Sequence, residues 1–581
     1  MKIQFSCKLS LALSSVALLS ACSASRADIA LKPNDRIVFY GDSITDQRLY
    51  TTFVETYLVT RYPNLPLSFV DSGWGGDRVT GGGGGPIDLR LQRDVLAYDP
   101  TVVTIMLGMN DGNYRAFDQG TFDTYANGTN HILDTLKQDA PNARVTLIQP
   151  SPYDDVTRAP QFPGGYNSTL LRFSDFLAKT ANQRDLGLTD FNAPVVAMLG
   201  KANATNSDLA QKIIPDRIHP GPAGHLIMAE ALLKAWGATP TVAEVSIDAA
   251  NKKVVRATNT KVSALKAITD DQRRPALSWT QNDNALPFPL DTGDTTTNLA
   301  LQSSDFTQSL DREPLQISGL TAPGYTLSID GNEVGDFSRE ELAQGINLAL
   351  LPTPMTDQAR AVHRLTLQHN DEHFRRWRDL QVPYGSHSDA VKAALPPLLQ
   401  ALNAEEAQTV AKQRAAAQPK AHNFELTIAP PKPAGANVAL NKPYTSTDPN
   451  VYDYGTGGLT DGSWSNEQPH TFASGELDAF PKSTTIDLEN PTTLSQIWIG
   501  VPPFGSTKTV RVSLSTDGQN FTEVGNTTFA QAVERRKRFS FAPQPARYIR
   551  LTFPDHYPDF VGYAPNFVFL SEVEAYEPNR D

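Results

Sequence analysis

The chain has 581 residues, 40% hydrophobic and 20% charged, the composition of a soluble globular protein. A prior of about 150 residues per domain predicts three or four domains. The formal net charge of −12 is spread along the chain. It leaves no basic face for phosphate contacts, so nucleic acid is not an expected partner.

The first residues read as an export leader. Lys2 and Lys8 flank the start of LSLALSSVALLS (9–20), an apolar run too short to span a bilayer. The run ends in LSAC (19–22), which resembles the lipobox of bacterial lipoproteins, where the cysteine, here Cys22, becomes the lipidated N-terminus. Ordinary cleavage after Ala27 is the alternative. The expected location is periplasmic or outer-membrane, as a lipoprotein, alternatively secreted, with membrane contact only through the anchor. Cys7 and Cys22 both lie in the leader, so no disulfide, thiol nucleophile or cysteine metal site is expected in the mature chain.

A catalytic-type domain is expected over 28–240. RIVFY, LSFVDSG, TVVTIMLG and ARVTLIQ read as buried strands. Between them, TTFVETYLVTRYP, 122–137 and 170–182 carry apolar residues at helical spacings of three and four. This alternation predicts a parallel sheet covered on both faces, with functional groups at the carboxyl ends of its strands.

Past Thr239 the pattern changes. EVSIDAANKKVVRATN reads as two strands around a polar turn, and YTLSIDGNEVGDF holds the hairpin signal Asp330-Gly331. Residues 356–418 turn helical, so 241–427 is an accessory β-plus-helix region. A proline-rich linker (428–436) follows. From 437 to 578, STTIDL, SQIWIG, TVRVSLS and RYIRLTF are short strand-like runs that predict a β-sandwich.

Four segments carry chemistry. Ser43, in FYGDSITD, follows the first strand and enters a helix, where a nucleophile and a helix cap are both reasonable. A serine needs a base, and the base needs an orienting group. IIPDRIHPGPAGH offers Asp216 three residues before His219, while His225 falls in the following helical pattern and is read as structural. Donors for a developing oxyanion come from Gly75 or Gly76 in VDSGWGGDR and from Asn110 in IMLGMND, both at strand ends. His369 and His373 have a metal-like spacing, but with no clear third ligand they read as a helix packed on the core. The run GGGGG (81–85) reads as a flexible rim.

The order GDS, G-G-D, G-M-N-D, D-x-x-H resembles the SGNH (GDSL-type) hydrolase family. The resemblance implies a flavodoxin-like α/β/α domain over about 34–238. It makes Ser43 the nucleophile and His219 the base, oriented by Asp216. The oxyanion hole is then Ser43 N–H, Gly76 (Gly75 is the alternative) and Asn110. It implies no cofactor and no catalytic metal.

NVALNKPYTST, GGLTDGSW, ARYIRLTF and LSEVEAYE resemble the discoidin-like, galactose-binding-like domains of coagulation factor C-terminal type. That resemblance implies sugar contact through loop aromatics, here Trp464, Tyr452 and Tyr454, with Trp498 in the core. It also implies a possible structural calcium ion. Together the two modules lead us to expect an exported serine esterase that removes O-acetyl groups from a glycan. The alternatives are a lipolytic esterase or thioesterase of the same family, and a non-catalytic surface glycan binder.

Overall fold

The computed structural model describes residues 29–581 except 271–272, 292–293, 430–434, 449–457, 465–469, 476, 478, 503, 530–534, 559–565 and 579–581. The leader, with Lys2, Lys8, Cys7, Cys22 and Ala27, therefore lies outside the described residues, as do Tyr452 and Tyr454.

Five parallel strands form the first sheet: β1 (Asp35–Gly41), β2 (Leu67–Gly73), β3 (Val102–Met106), β4 (Arg144–Gln149) and β5 (Gly187–Asp190), in the order β2-β1-β3-β4-β5. All five residues of β3 and six of seven in β1 are buried, as a sheet covered on both faces requires. The covering helices include α1 (Ser43–Asp46), α2 (Leu49–Arg61), α3 (Ile87–Asp94), α4 (Gln119–Asp139), α5 (Gly165–Arg184), α6 (Asn192–Thr205) and α7 (Pro222–Ala235). Their starts follow local rules. Asp42 caps α1, Asp118 caps α4, and Pro222 opens α7, where a missing N–H costs nothing. The strand order reverses between β1 and β3, and ligands of such sheets bind at that switch point.

The middle region builds two further sheets. One has five antiparallel strands, ordered Thr260–Thr269, Pro275–Asp283, Ala421–Ile428, Gly324–Ile329, Asn332–Ser338. The hairpin at Asp330 and Gly331 has both residues at positive φ, 51° and 78°, the conformation its turn chemistry predicts. The other sheet has four strands, ordered Ile346–Asn347, Pro314–Ser318, Glu244–Asp248, Lys253–Thr258. Between Ser338 and Ala421 the chain leaves the sheet for two long helices, α8 (Pro354–Phe374) and α9 (Asp389–Ala416), which pack on each other. A π-helical stretch, Arg375–Gln381, follows α8 directly.

One continuous apolar core runs from Leu31 through Leu426, joining the α/β domain to the middle region. The C-terminal sandwich has its own core, from Ala439 to Ala575. Its main sheet is ordered Tyr444–Ser446, Lys482–Val501, Arg535–Phe553, Thr509–Ser515, Thr522–Thr528, with Glu572–Tyr576 paired to the second strand. At the seam with the middle region, buried Arg538 meets Asp336 at 2.7 Å and Glu333 at 3.6 Å. Trp498, expected in the core, stands half-buried on this seam beside a cleft of about 510 Å³. Its strand faces the middle region, which alternation alone does not reveal.

Candidate active site

Ser43 is the first residue of α1, immediately after β1 and its cap Asp42. Asp42 Oδ1 accepts the Ile44 N–H at 3.0 Å. The Ser43 N–H, at the first turn of the helix, has no intrahelical acceptor. Gly41 is fixed by space: a Cβ there would collide with Thr45 Oγ1 and lie 2.8 Å from the Met106 carbonyl. Burial pushes the Asp42 carboxyl up to about 8, so it is largely a neutral acid at pH 7.

The loop before α7 brings in the other two members. His219 Nε2 lies 2.8 Å from Ser43 Oγ, and His219 Nδ1 lies 2.6 Å from Asp216 Oδ2. Asp216 also accepts the backbone N–H groups of Ile218 and His219, at 2.9 and 2.7 Å. Burial would raise this carboxyl, but the hydrogen bonds from His219 and Ile218 outweigh it and hold it below its ordinary range. A carboxylate at Asp216 makes Nδ1–H the donor and leaves Nε2 to accept from the Ser43 hydroxyl. Arg217 between them sits at φ +72°. It is pinned there because its carbonyl accepts the Asp154 N–H at 2.9 Å and its guanidinium donates to the Ala159 carbonyl at 3.0 Å.

His225 takes the structural role expected of it. Buried in α7, it accepts the Tyr50 N–H at 3.2 Å and donates to Gln47 Oε1 at 3.1 Å. Gln47 in turn donates to the Pro220 carbonyl at 3.4 Å. Burial, with the His219 charge nearby, lowers His225 to about 3 and keeps it neutral. The bonds tie the serine helix to the loop that carries His219.

The two glycines after β2 have different fates. The Gly75 N–H donates to Asp46 Oδ2 at 3.0 Å. Gly76 is exposed at φ +77°, and nothing lies within 4 Å of where its Cβ would be. Among the described residues its N–H has no acceptor. Of the pair, then, Gly76 has the free donor. Asp77 anchors the loop from behind, buried in an ion pair with Arg90 at 2.6 Å.

Asn110 follows β3. Its Nδ2 donates to the Asp77 carbonyl at 3.0 Å, and its Oδ1 accepts the Tyr114 hydroxyl at 2.7 Å. One amide hydrogen remains for a substrate oxygen. The sequence reading missed Tyr114. The positive φ of Asn113 and Tyr114, 55° and 57°, is what turns the phenol back, and the Asn-Tyr pair after G-M-N-D-G was the available signal.

One expectation is corrected and one is met. GGGGG is not a flexible rim but a tight hairpin, Gly81–Gly82 against Gly85–Pro86. Added Cβ atoms at Gly82, Gly83 and Gly84 would come within 2.7 Å of Asp77, 2.9 Å of Trp74 and 2.5 Å of Arg90, so absent side chains let the hairpin close over the loop. His369 and His373 are held by carboxylates and backbone: His369 meets Glu55 at 2.9 Å and Glu406 at 3.4 Å, and His373 donates to the Asp71 carbonyl at 3.2 Å.

In the C-terminal module, Trp464 is half-buried. Its indole N–H donates to Glu574 at 3.0 Å, and Arg536 lies 4.5 Å over its ring. Lys482 is buried in an oxygen cage of Asp448 (2.8 Å), the Gly475 carbonyl (2.8 Å), the Asn566 carbonyl (2.6 Å) and Ser474 Oγ (3.3 Å). Its ammonium is the cation that these four oxygens surround. Among the described residues no group of three or more acidic, histidine or cysteine side chains gathers to hold a metal ion.

This geometry, a serine, histidine and aspartate in line at the switch point of a doubly wound sheet, is that of an acyl-transfer hydrolase. Residues 39–227 match the GDSL-like Lipase/Acylhydrolase family. Residues 458–551 match the NedA-like, galactose-binding domain. An acetylxylan esterase of Geobacillus stearothermophilus is 23% identical over 223 residues, covering 35% of this chain and 94% of that protein. A solved gut microbial diltiazem-metabolizing enzyme is 25% identical with a TM-score of 0.60, covering 70% of this chain and 100% of that one. That likeness spans more than the α/β domain. The N-terminal domain is an SGNH (GDSL-type) hydrolase domain, a carboxylic ester hydrolase, and the C-terminal sandwich is a discoidin-like, galactose-binding-type module.

Proposed function

We propose that this protein is an exported esterase that removes O-acetyl groups from an oligo- or polysaccharide through an acetyl-enzyme. Ser43 Oγ attacks the acetyl carbonyl carbon as its proton passes to His219 Nε2. Asp216 steadies the imidazolium through Nδ1–H. The carbonyl oxygen, now an anion, accepts hydrogen bonds from Ser43 N–H, Gly76 N–H and Asn110 Nδ2. On collapse, His219 returns the proton to the sugar oxygen, which leaves as a hydroxyl. Water, deprotonated by His219, then attacks the Ser43 ester, and on collapse His219 returns that proton to Ser43 Oγ as acetate leaves. Every step uses groups of this chain and water.

The observation that carries the reading is the Asp216–His219–Ser43 line, with contacts of 2.6 and 2.8 Å. The acetyl group and the glycan are supported by the acetylxylan esterase among the relatives and by the galactose-binding-type match. A binding module on the same chain raises the local concentration of substrate. Export is supported by the leader with Cys22 and is tested by cell fractionation and mass spectrometry of the mature N-terminus. Sugar contact through Trp464, Tyr452 and Tyr454 is tested by alanine substitution and glycan-affinity electrophoresis.

The deciding assay compares p-nitrophenyl acetate, a long-chain ester, diltiazem and acetylated xylooligosaccharides. Rapid acetate release, lost in Ser43→Ala by about 10³-fold or more, is the expected result. Long-chain preference would make the protein lipolytic, and no turnover of any ester would make it a glycan binder. Full activity in Ser43→Ala would overturn the mechanism.

A further inference from the structure

The loop carrying the Gly76 N–H cannot hold its own shape. Three of the five residues from 73 to 77 are glycine, and glycine backbones lose the most conformational freedom on ordering. Within the loop the one backbone hydrogen bond is Asp77 N–H to the Trp74 carbonyl, 3.1 Å. A donor for an oxyanion must nevertheless be fixed to about 0.5 Å. The α/β domain holds it through the Gly41 carbonyl, Asp46, Asn110 and Arg90, and further fixing groups come from the middle region, which no part of the acyl-transfer chemistry uses.

At one end of the loop, Arg378 of the π-helical stretch lays its guanidinium over the Trp74 ring, 3.1 Å from the centroid. The same guanidinium donates to the Gly73 carbonyl at 3.4 Å and meets Asp46 Oδ2 at 3.4 Å. That Asp46 oxygen also accepts the Gly75 N–H at 3.0 Å, and Asp46 stands three residues beyond Ser43. At the other end, buried Trp377 donates its indole N–H to Asp94 Oδ1 at 2.7 Å. Asp94 and Asp77 share the buried Arg90. Trp377 also meets Trp74 edge-on at 5.7 Å. Successive residues of one π-helical stretch therefore touch Gly73 and Trp74 directly and reach Asp77 through Asp94 and Arg90, and π-helical turns recur at functional sites.

We propose that the π-helical stretch of the middle region completes the active site, with Arg378 and Trp377 as positioning residues for the Gly76 N–H. The inference rests on the acyl-enzyme reading above. It makes the middle region part of the catalyst, not a spacer between hydrolase and binding module.

The test uses the full chain and p-nitrophenyl acetate, with Arg378→Ala, Arg378→Lys, Trp377→Phe, Asp46→Asn and the Arg378→Ala/Asp46→Asn double variant. Arg378→Ala is expected to lower kcat about 10- to 100-fold with KM within about 2-fold. Arg378→Lys is expected to recover only part of the loss, because an ammonium reaches Asp46 without plating Trp74. Phosphonylation of Ser43 by a fluorophosphonate should slow in parallel, since the phosphonyl oxygen uses the same donors. The double variant should be no worse than Arg378→Ala alone. Trp377→Phe keeps an aromatic ring but loses the indole N–H and part of the ring volume, and is expected to cost about 3- to 10-fold, which serves as the second measurement should Arg378→Ala not fold. An active wild type whose Arg378→Lys and Trp377→Phe forms keep its kcat and phosphonylation rate overturns the inference alone. A wild type inert to every ester and to the fluorophosphonate fails the acyl-enzyme reading itself.

Discussion

At the scale of single residues, Tyr114 and Asp42 make the sharpest predictions. The Tyr114 hydroxyl orients the Asn110 amide by donating to Oδ1 at 2.7 Å. Tyr114→Phe keeps the ring, so kcat should fall about 10-fold with KM unchanged, less than the roughly 10²–10³-fold cost of Asn110→Ala. In an Asn110→Ala background the Tyr114→Phe change should do nothing further. Additive losses would rule out this coupling. Asp42 concerns stability. Its carboxyl is pushed by burial up to about 8, so the folded state binds a proton that the unfolded state releases near its ordinary value. This raised group costs stability as pH climbs from about 4 to 8. Asp42→Asn can still cap Ile44, and its melting temperature should gain on the wild type steadily over that range. A constant difference would show that the burial does not act through the proton.

Elements dock through charge as well as apolar area. Glu55 on α2 lies buried against His369, Asn370 and Gln413 of α8 and α9, at 2.9, 3.0 and 2.8 Å. Glu406 on α9 reaches His369, His373 and Arg376 at 3.4, 3.7 and 3.3 Å. Burial alone would lower His369, but the Glu55 and Glu406 carboxylates hold it up to about 10. A histidine raised on folding contributes fully below its ordinary value near 6.5, and the contribution is lost as pH rises toward 10. His369→Gln should therefore melt well below wild type at pH 6.5, by about 3–5 kcal/mol of stability. The gap should narrow as pH approaches 10. A gap independent of pH would mean packing, not charge, holds α8 on α2.

Over the whole molecule, the two cores separate what can be removed from what cannot. The sandwich has its own core, from Ala439 to Ala575. A chain ending at residue 436 is expected to turn over p-nitrophenyl acetate within about 2-fold of the full protein, while acetate release from any insoluble acetylated glycan that the full protein deacetylates drops about 10- to 100-fold. Equal loss on both substrates would make the module structural. The middle region shares one core with the α/β domain, so its deletion leaves apolar surface on α2 and β2 exposed. Such a chain should not yield a soluble enzyme.

The α/β class was readable from the apolar runs of β1 to β4, because strands buried on both faces show as continuous apolar segments. Strand β5, GLTD, escaped notice because four edge residues carry no such run. The Ser43, Asn110, Asp216 and His219 candidates were legible because strand-end chemistry leaves short local motifs, and the structure brings Ser43, His219 and Asp216 into one hydrogen-bonded line. Nothing local separates Gly75 from Gly76, since the difference is an acceptor on Asp46, twenty-nine positions earlier. Nor could sequence place Arg378, which meets Asp46 across 332 positions. The sequence alone determined which residues have the chemistry to attack an ester. Only the tertiary structure decided which backbone N–H stays free and what holds it, because hydrogen-bond partners distant along the chain are chosen by packing.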